Sequence, residues 1–229
     1  MALDKGEPSR PPPDLPEREL RLTRSDDFAQ SKWCRIAKTQ RGPLHFSQDP
    51  GWRFSREDMP GALYLAESAA TAFKEIFWDD LVSRPPKERR LDRDKIEVRS
   101  LYGCLLVAPF KVVDTTSGNT LDAMSCHGGT FGGPYSVCQE WAFALRNHKS
   151  KPAGILYESV RNKGEVCMAL FQENISAESF AFLDGEALID MPAIFGKTPA
   201  ANVVIRDVLS NGRWNSGVDG GSGMLPDPV

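Results

Sequence analysis

Cysteine and histidine are scarce in this chain of 229 residues, and neither is spaced to hold a metal. Five cysteines stand at 34, 104, 126, 138 and 167 and three histidines at 45, 127 and 148, with no Cys-x-x-Cys anywhere. That odd, scattered set excludes a zinc framework and a disulfide scaffold, so no metal is expected and free thiols suit a reducing cytoplasm. Long apolar runs are missing as well. Nothing approaches the ~20 apolar residues that span a bilayer, and no apolar signal core opens the chain. Nor is there an excess of positive charge: 28 Lys and Arg face 31 Asp and Glu, for a net charge of −3 and a pI near 5.7. Broad electrostatic capture of nucleic acid needs a basic face, so a nuclease is the weaker reading.

What is present fits one soluble domain with ragged ends. Apolar residues make up 41% of the chain and charged residues 26%, which is ordinary for a globular protein. Residues 1–27, with prolines at 8, 11, 12, 13 and 16 and dense mixed charge, read as a flexible arm on which Leu20 and Leu22 offer local docking points. The folded domain is expected over 28–215, and 216–229, rich in glycine and proline, reads as a second mobile end.

Local signals place several elements. Ala62–Ala66 is a short buried strand behind Pro60-Gly61, and Ser68 caps a helix from Ala69 to about Leu81 with apolar residues at 69, 72, 73, 76, 77 and 81. Residues 84–95 are charged and read as an exposed loop, where Arg84, Lys87, Arg89, Arg90, Arg93 and Lys95 alternate with acids. Strand material runs from Val98 to Val113, broken at Pro109. A glycine-rich passage, 126–135, leads to a second helix at Ser136, where Ser136-Val-Cys-Gln139 fits a capping box. Residues 154–160 and 165–171 form a hairpin around Asn162-Lys163-Gly164. Strands separated by two helices, some paired as hairpins, predict an α+β domain with a mixed, mostly antiparallel sheet.

The passage from Arg53 to Glu75 is the most informative. An arginine–aromatic pair, Arg53-Phe54, precedes Pro60-Gly-Ala-Leu-Tyr64-Leu-Ala-Glu-Ser68, and Glu75 follows Tyr64 by eleven residues on the helix. Taken singly these residues have plain explanations. Glu75 lies off the apolar stripe and reads as surface, Tyr64 as core, Arg35 and Arg53 as charges beside apolar neighbours, and Ser159 as either face of its strand. His127 beside Cys126 suggests a cysteine hydrolase, but adjacent residues rarely face each other and no orienting Asn or Asp motif accompanies them. The glycines at 128–133 lack the strand–turn–helix setting of a dinucleotide fingerprint.

Together with Trp33-Cys-Arg35-Ile, Tyr135-Ser136-x-Cys-Gln139-x-Trp141 and Gly154-Ile-x-Tyr-x-Ser159-x-Arg161, the passage resembles the signature of RES-domain proteins, toxins of bacterial type II toxin–antitoxin pairs. One departure is Ser55, where the family usually carries Asn or Asp. The resemblance implies an ADP-ribosyltransferase-like fold and NAD⁺ as substrate, with cleavage of the nicotinamide–ribose bond and transfer of ADP-ribose to a protein, or alternatively to water or phosphate. A non-catalytic binding module is a further alternative. The resemblance implies roles for Glu75, Arg53 and Tyr64 in the chemistry, and for Arg35, Arg53, Tyr64, Ser136, Gln139 and Ser159 in holding the dinucleotide. It also implies an Xre-type DNA-binding antitoxin that occludes the site.

Overall fold

The computed structural model describes residues 9–28, 32–83, 85, 90–190 and 202–204. The main sheet has nine strands: β1 (Leu22–Arg24), β2 (Lys32–Lys38), β3 (Ala62–Ala66), β5 (Arg99–Leu106), β6 (Lys111–Asp114), β7 (Gly154–Glu158), β8 (Val166–Phe171), β9 (Phe180–Phe182) and β10 (Glu186–Ala187). Their order is β1-β6-β7-β8-β3-β2-β5-β10, with β9 also on β5. Among the described residues only β6 and β7 run parallel within it, so the sheet is mixed and mostly antiparallel, as expected of an α+β domain. A small second sheet pairs β4 (Arg90–Asp92) with β11 (Asn202–Val204).

Helices α1 (Ala69–Val82) and α4 (Tyr135–Arg146) cover one face, where Phe73, Phe77, Trp141 and Leu145 pack on Ile155, Ala169 and Phe171. Trp33, Leu63, Leu65, Met168 and Leu170 fill the opposite face beneath Phe28, Phe110 and Phe180. Two short helices, α2 (Arg93–Glu97) and α3 (Gly118–Met124), add to the two expected. No helix among the described residues is long and apolar enough to cross a membrane.

Two local signals behaved as expected. Ser68 caps α1 by accepting from the Thr71 N–H at 3.2 Å, a contact worth about 1 kcal/mol. The hairpin of β7 and β8 pairs Gly154 with Leu170 through Glu158 with Val166.

Three expectations are corrected. Residues 9–27 are no free arm: β1 pairs with β6, Leu15 is fully buried, and the Trp141 indole donates to the Ser9 carbonyl at 2.6 Å. Burial of Leu15, with Leu20 and Leu22 partly buried against the core, offsets the ordering cost that composition alone suggested. Residues 90–95 are no loop, because Leu91 and Ile96 are fully buried and carry β4 and α2 with them. Ser136 does not cap α4. That helix begins at Tyr135 behind Pro134, with no side-chain cap bond, and Gln139 instead donates to the Pro50 and Trp52 carbonyls. The end of the expected domain near 215 and the tail 216–229 lie outside the described residues.

Candidate active site

Strand β2 is paired unequally. Seven residues in a row, Lys32 to Lys38, face β5, whereas Cys34 with Ala66 is the one register pair it shares with β3. Beyond that point the two strands separate, and the bridge of Ser47 to Ala62 takes the place that β2 would have held. Into the gap opens a cleft of about 460 Å³, within the range of small-molecule sites.

Four expected residues line it together: Arg35 from β2, Arg53 from the following loop, Tyr64 from β3 and Glu75 from α1. Helix α1 presents Ala72, Glu75, Ile76 and Asp79 to the cleft, positions at the i, i+3, i+4, i+7 spacing of one helical face. Its apolar stripe of Phe73, Phe77 and Leu81 goes to the core instead. Glu75 accepts a hydrogen bond from the Ser159 hydroxyl at 2.6 Å. Ser159 in turn accepts from the backbone N–H groups of Arg161 (3.2 Å) and Asn162 (2.9 Å), which fixes its rotamer. Ser159 is fully buried and stands behind the carboxylate without itself lining the cleft.

The turn carrying Ser159 is fastened to α1 elsewhere. Buried Lys74 donates to Asn162 Oδ1 at 2.7 Å, Asn162 donates to Thr71 at 2.7 Å, and Thr71 and Ser68 both donate to Glu165. These bonds hold the hairpin turn against the helix, so the carboxylate of Glu75 has a fixed partner rather than a mobile one.

The two arginines are walls. Arg35 donates to the Tyr64 carbonyl at 3.0 Å and to the His45 carbonyl at 2.7 Å, so it ties the separated strands across the gap. Among the described residues its Nε is buried without a partner, and burial pushes its guanidinium down to about 10, still charged at neutral pH. Arg53 donates through Nη1 to the carbonyls of Phe131 (3.3 Å) and Gly133 (3.1 Å) and lies 4.9 Å over the Tyr135 ring. It thereby pins the glycine-rich passage against the cleft.

Tyr64 keeps its proton because burial raises its phenol well above the usual value. The hydroxyl accepts from the Phe54 N–H at 3.0 Å and shares a 2.8 Å bond with Ser55. Serine at 55 therefore serves the tyrosine directly. The Trp52 ring tilts over Tyr64 at 5.4 Å. Cys34 lines the same cleft, but burial pushes its thiol up to about 11 and that of Cys126 up to about 12. Neither is an activated nucleophile.

Against known proteins, residues 29–184 match the RES domain. The chain belongs to the RES domain family. Its fold is similar to that of a chain of the MbcT–MbcA toxin–antitoxin complex of M. tuberculosis, with a TM-score of 0.52 and 17% identity over 69% of this chain and 84% of that one. No curated protein matches the sequence.

Within this RES domain, Ser136 is exposed at the first turn of α4 and does not line the cleft, and Gln139 braces the 50–52 loop. Sequence reasoning assigned no role to Trp52, Tyr135 or Tyr157, which line the site beside the expected residues. Tyr135 and Tyr157 sit inside motifs that were read for their neighbours, and Trp52 directly precedes Arg53. Lys38, Arg41 and Arg99 also line it, and they carried no local signal at all.

Proposed function

We propose that this RES domain is the toxin of a toxin–antitoxin pair and that it consumes NAD⁺ in the cleft between β2 and β3. The observation that carries the reading is Glu75, a carboxylate in a cleft walled by Trp52, Tyr64 and Tyr135 and held from behind by Ser159. Breaking the nicotinamide–ribose bond returns its electron pair to the pyridine nitrogen and leaves positive charge on the ribose. A fixed carboxylate stabilises that charge most while the bond is breaking. The acceptor's lone pair then forms the new bond at the same carbon, and the acceptor gives up its proton.

Tyr64 and Trp52 offer flat apolar faces to nicotinamide, while Arg35 and Arg53 fasten the walls of the cleft in place. We take a protein side chain as the acceptor because Tyr135, which lines the cleft, is 38% exposed at the start of α4, where a docking protein can reach it. The partner in this reading is an Xre-type antitoxin that covers the cleft. Incubation with NAD⁺ labelled in its adenylate half tests the reading. Label on a protein supports transfer, free ADP-ribose or its 1″-phosphate replaces the acceptor with water or phosphate, and intact NAD⁺ removes the activity altogether.

A further inference from the structure

If NAD⁺ is the ligand, its two phosphates need cations, and the guanidiniums inside the cleft are poorly placed to supply them. Both terminal nitrogens of Arg35 already donate to carbonyls, and Nη1 of Arg53 does the same. Both side chains are more than nine-tenths buried. A second group of cations lines the mouth: Lys38 at the end of β2, Arg41 in the turn that follows, and Arg99 at the start of β5.

Their arrangement is costly unless an anion joins them. Lys38 and Arg99 are direct register partners across the β2–β5 seam, so two like charges stand on the same face of neighbouring strands. Such pairs destabilise a sheet. Among the described residues none of the three forms a salt bridge, whereas nearby acids have partners: Asp80 bonds Lys95 and Asp79 bonds Arg161, each at 2.7 Å. Asp80 still acts on Arg99 electrostatically, and Asp79, Asp49 and Glu75 share the cleft.

Two of the cations are also held in position. The Arg99 guanidinium lies 5.4 Å over the Phe77 ring and donates to the Lys95 carbonyl. Arg41 Nη1 is 3.3 Å from His45 Nε2, and burial, Arg41 and Arg35 together lower the pKa of that imidazole, which favours the neutral form that accepts. Lys38 lies three residues beyond Arg35 along β2, roughly 10 Å at ordinary strand rise.

We propose that Lys38, Arg41 and Arg99 form a diphosphate subsite at the mouth of the cleft that Glu75 also lines. The proposal rests on the NAD⁺ reading, and it moves the phosphate contacts away from Arg35 and Arg53. The test titrates the full-length chain with inorganic diphosphate, ADP-ribose and nicotinamide riboside, and measures NAD⁺ turnover in parallel. The variants are Lys38→Gln, Arg41→Gln and Arg99→Gln, singly and combined, with Lys111→Gln, exposed on β6, as a cation outside the cleft.

Each cleft substitution should weaken diphosphate and ADP-ribose about tenfold or more, the combined variant by at least about a hundredfold, with a shallower salt dependence. Nicotinamide riboside, which carries no phosphate, should bind unchanged, and Lys111→Gln should match the parent. The combined variant should melt no lower than the parent, since it relieves an opposed pair of charges. Diphosphate that fails to bind the parent, or ADP-ribose that binds the combined variant as tightly as the parent, overturns the subsite. Turnover of NAD⁺ with an unaltered KM in that variant overturns the subsite and leaves the activity standing. Phosphate binding lost as described, in a chain that never consumes NAD⁺, keeps the subsite and overturns the activity.

Discussion

Along β5, strand β2 pairs residue by residue from Lys32 to Lys38, while along β3 it pairs at Cys34 and then lets go. The first seam is closed by backbone bonds, as in any antiparallel ladder. The second is closed by a side chain, because Arg35 reaches the Tyr64 and His45 carbonyls where a strand would have bonded them. Substituting a guanidinium for a ladder leaves room for a ligand while still meeting the hydrogen-bonding needs of the buried backbone. The candidate chemistry sits where regular pairing between β2 and β3 stops.

The largest effect should come from chemistry in the open seam. Glu75→Gln keeps the shape of the side chain, and we expect it to lower NAD⁺ consumption by roughly a hundredfold or more and to relieve growth arrest. Its melting temperature should stay near that of the parent. Full activity in this variant would remove Glu75 from the mechanism.

Arg35→Met attacks the tie itself. It leaves two carbonyls without their donors, at about 1–3 kcal/mol each when such groups stay buried. Chemical denaturation should register a loss of that order. A loss under ~1 kcal/mol would mean that the seam closes without the arginine.

Tyr64→Phe removes the acceptor of the Phe54 N–H and the partner of Ser55, for an expected cost of about 1–2 kcal/mol. The matching change in the closed seam is Ser100→Ala, which removes a 3.0 Å bond to Thr39. We expect it to cost under ~1 kcal/mol, since the ladder around it is intact. Equal costs in the two variants would erase the contrast between the seams.

The smallest effect is in pH. The folded-state pKa of His45 lies below the ordinary 6.5, through burial first and then Arg41 and Arg35. The unfolded chain therefore takes up the proton at higher pH than the folded one. Stability is greatest above about 6.5 and declines as pH falls below it. His45→Gln should flatten that acid-side slope in denaturation curves measured between about pH 5 and 7, and an unchanged slope would place its origin elsewhere.

The closed features were legible and the open seam was not. Helix α1 was readable because its signals are local: a serine cap, an apolar stripe and no internal breaker. The β7–β8 hairpin was readable from its turn for the same reason. That β2 would pair fully with one neighbour and once with the other depends on contacts between residues about thirty and seventy positions apart, which periodicity does not encode. The opposition of Lys38 and Arg99 follows from that pairing and was equally hidden. At Ser136 the local signal misled, because Pro134 starts the helix earlier and the loop at 50–52 takes the Gln139 amide. Glu75 and Arg53 were singled out by resemblance, since a helical wheel leaves the glutamate on the surface.

The docked N-terminal segment changes where the working unit begins. The family match opens at residue 29, yet Leu15, the strand Leu22–Arg24 and the carbonyls of Ser9 and Arg18 all lie ahead of it. Cut at the family boundary, the protein would lose the cover over Trp141, the partner of the buried His148 ring and the outermost strand beside β6. A gene fragment trimmed to the recognised domain would encode a sticky remnant with a bare edge, and its inactivity would say nothing about the activity proposed for the longer chain.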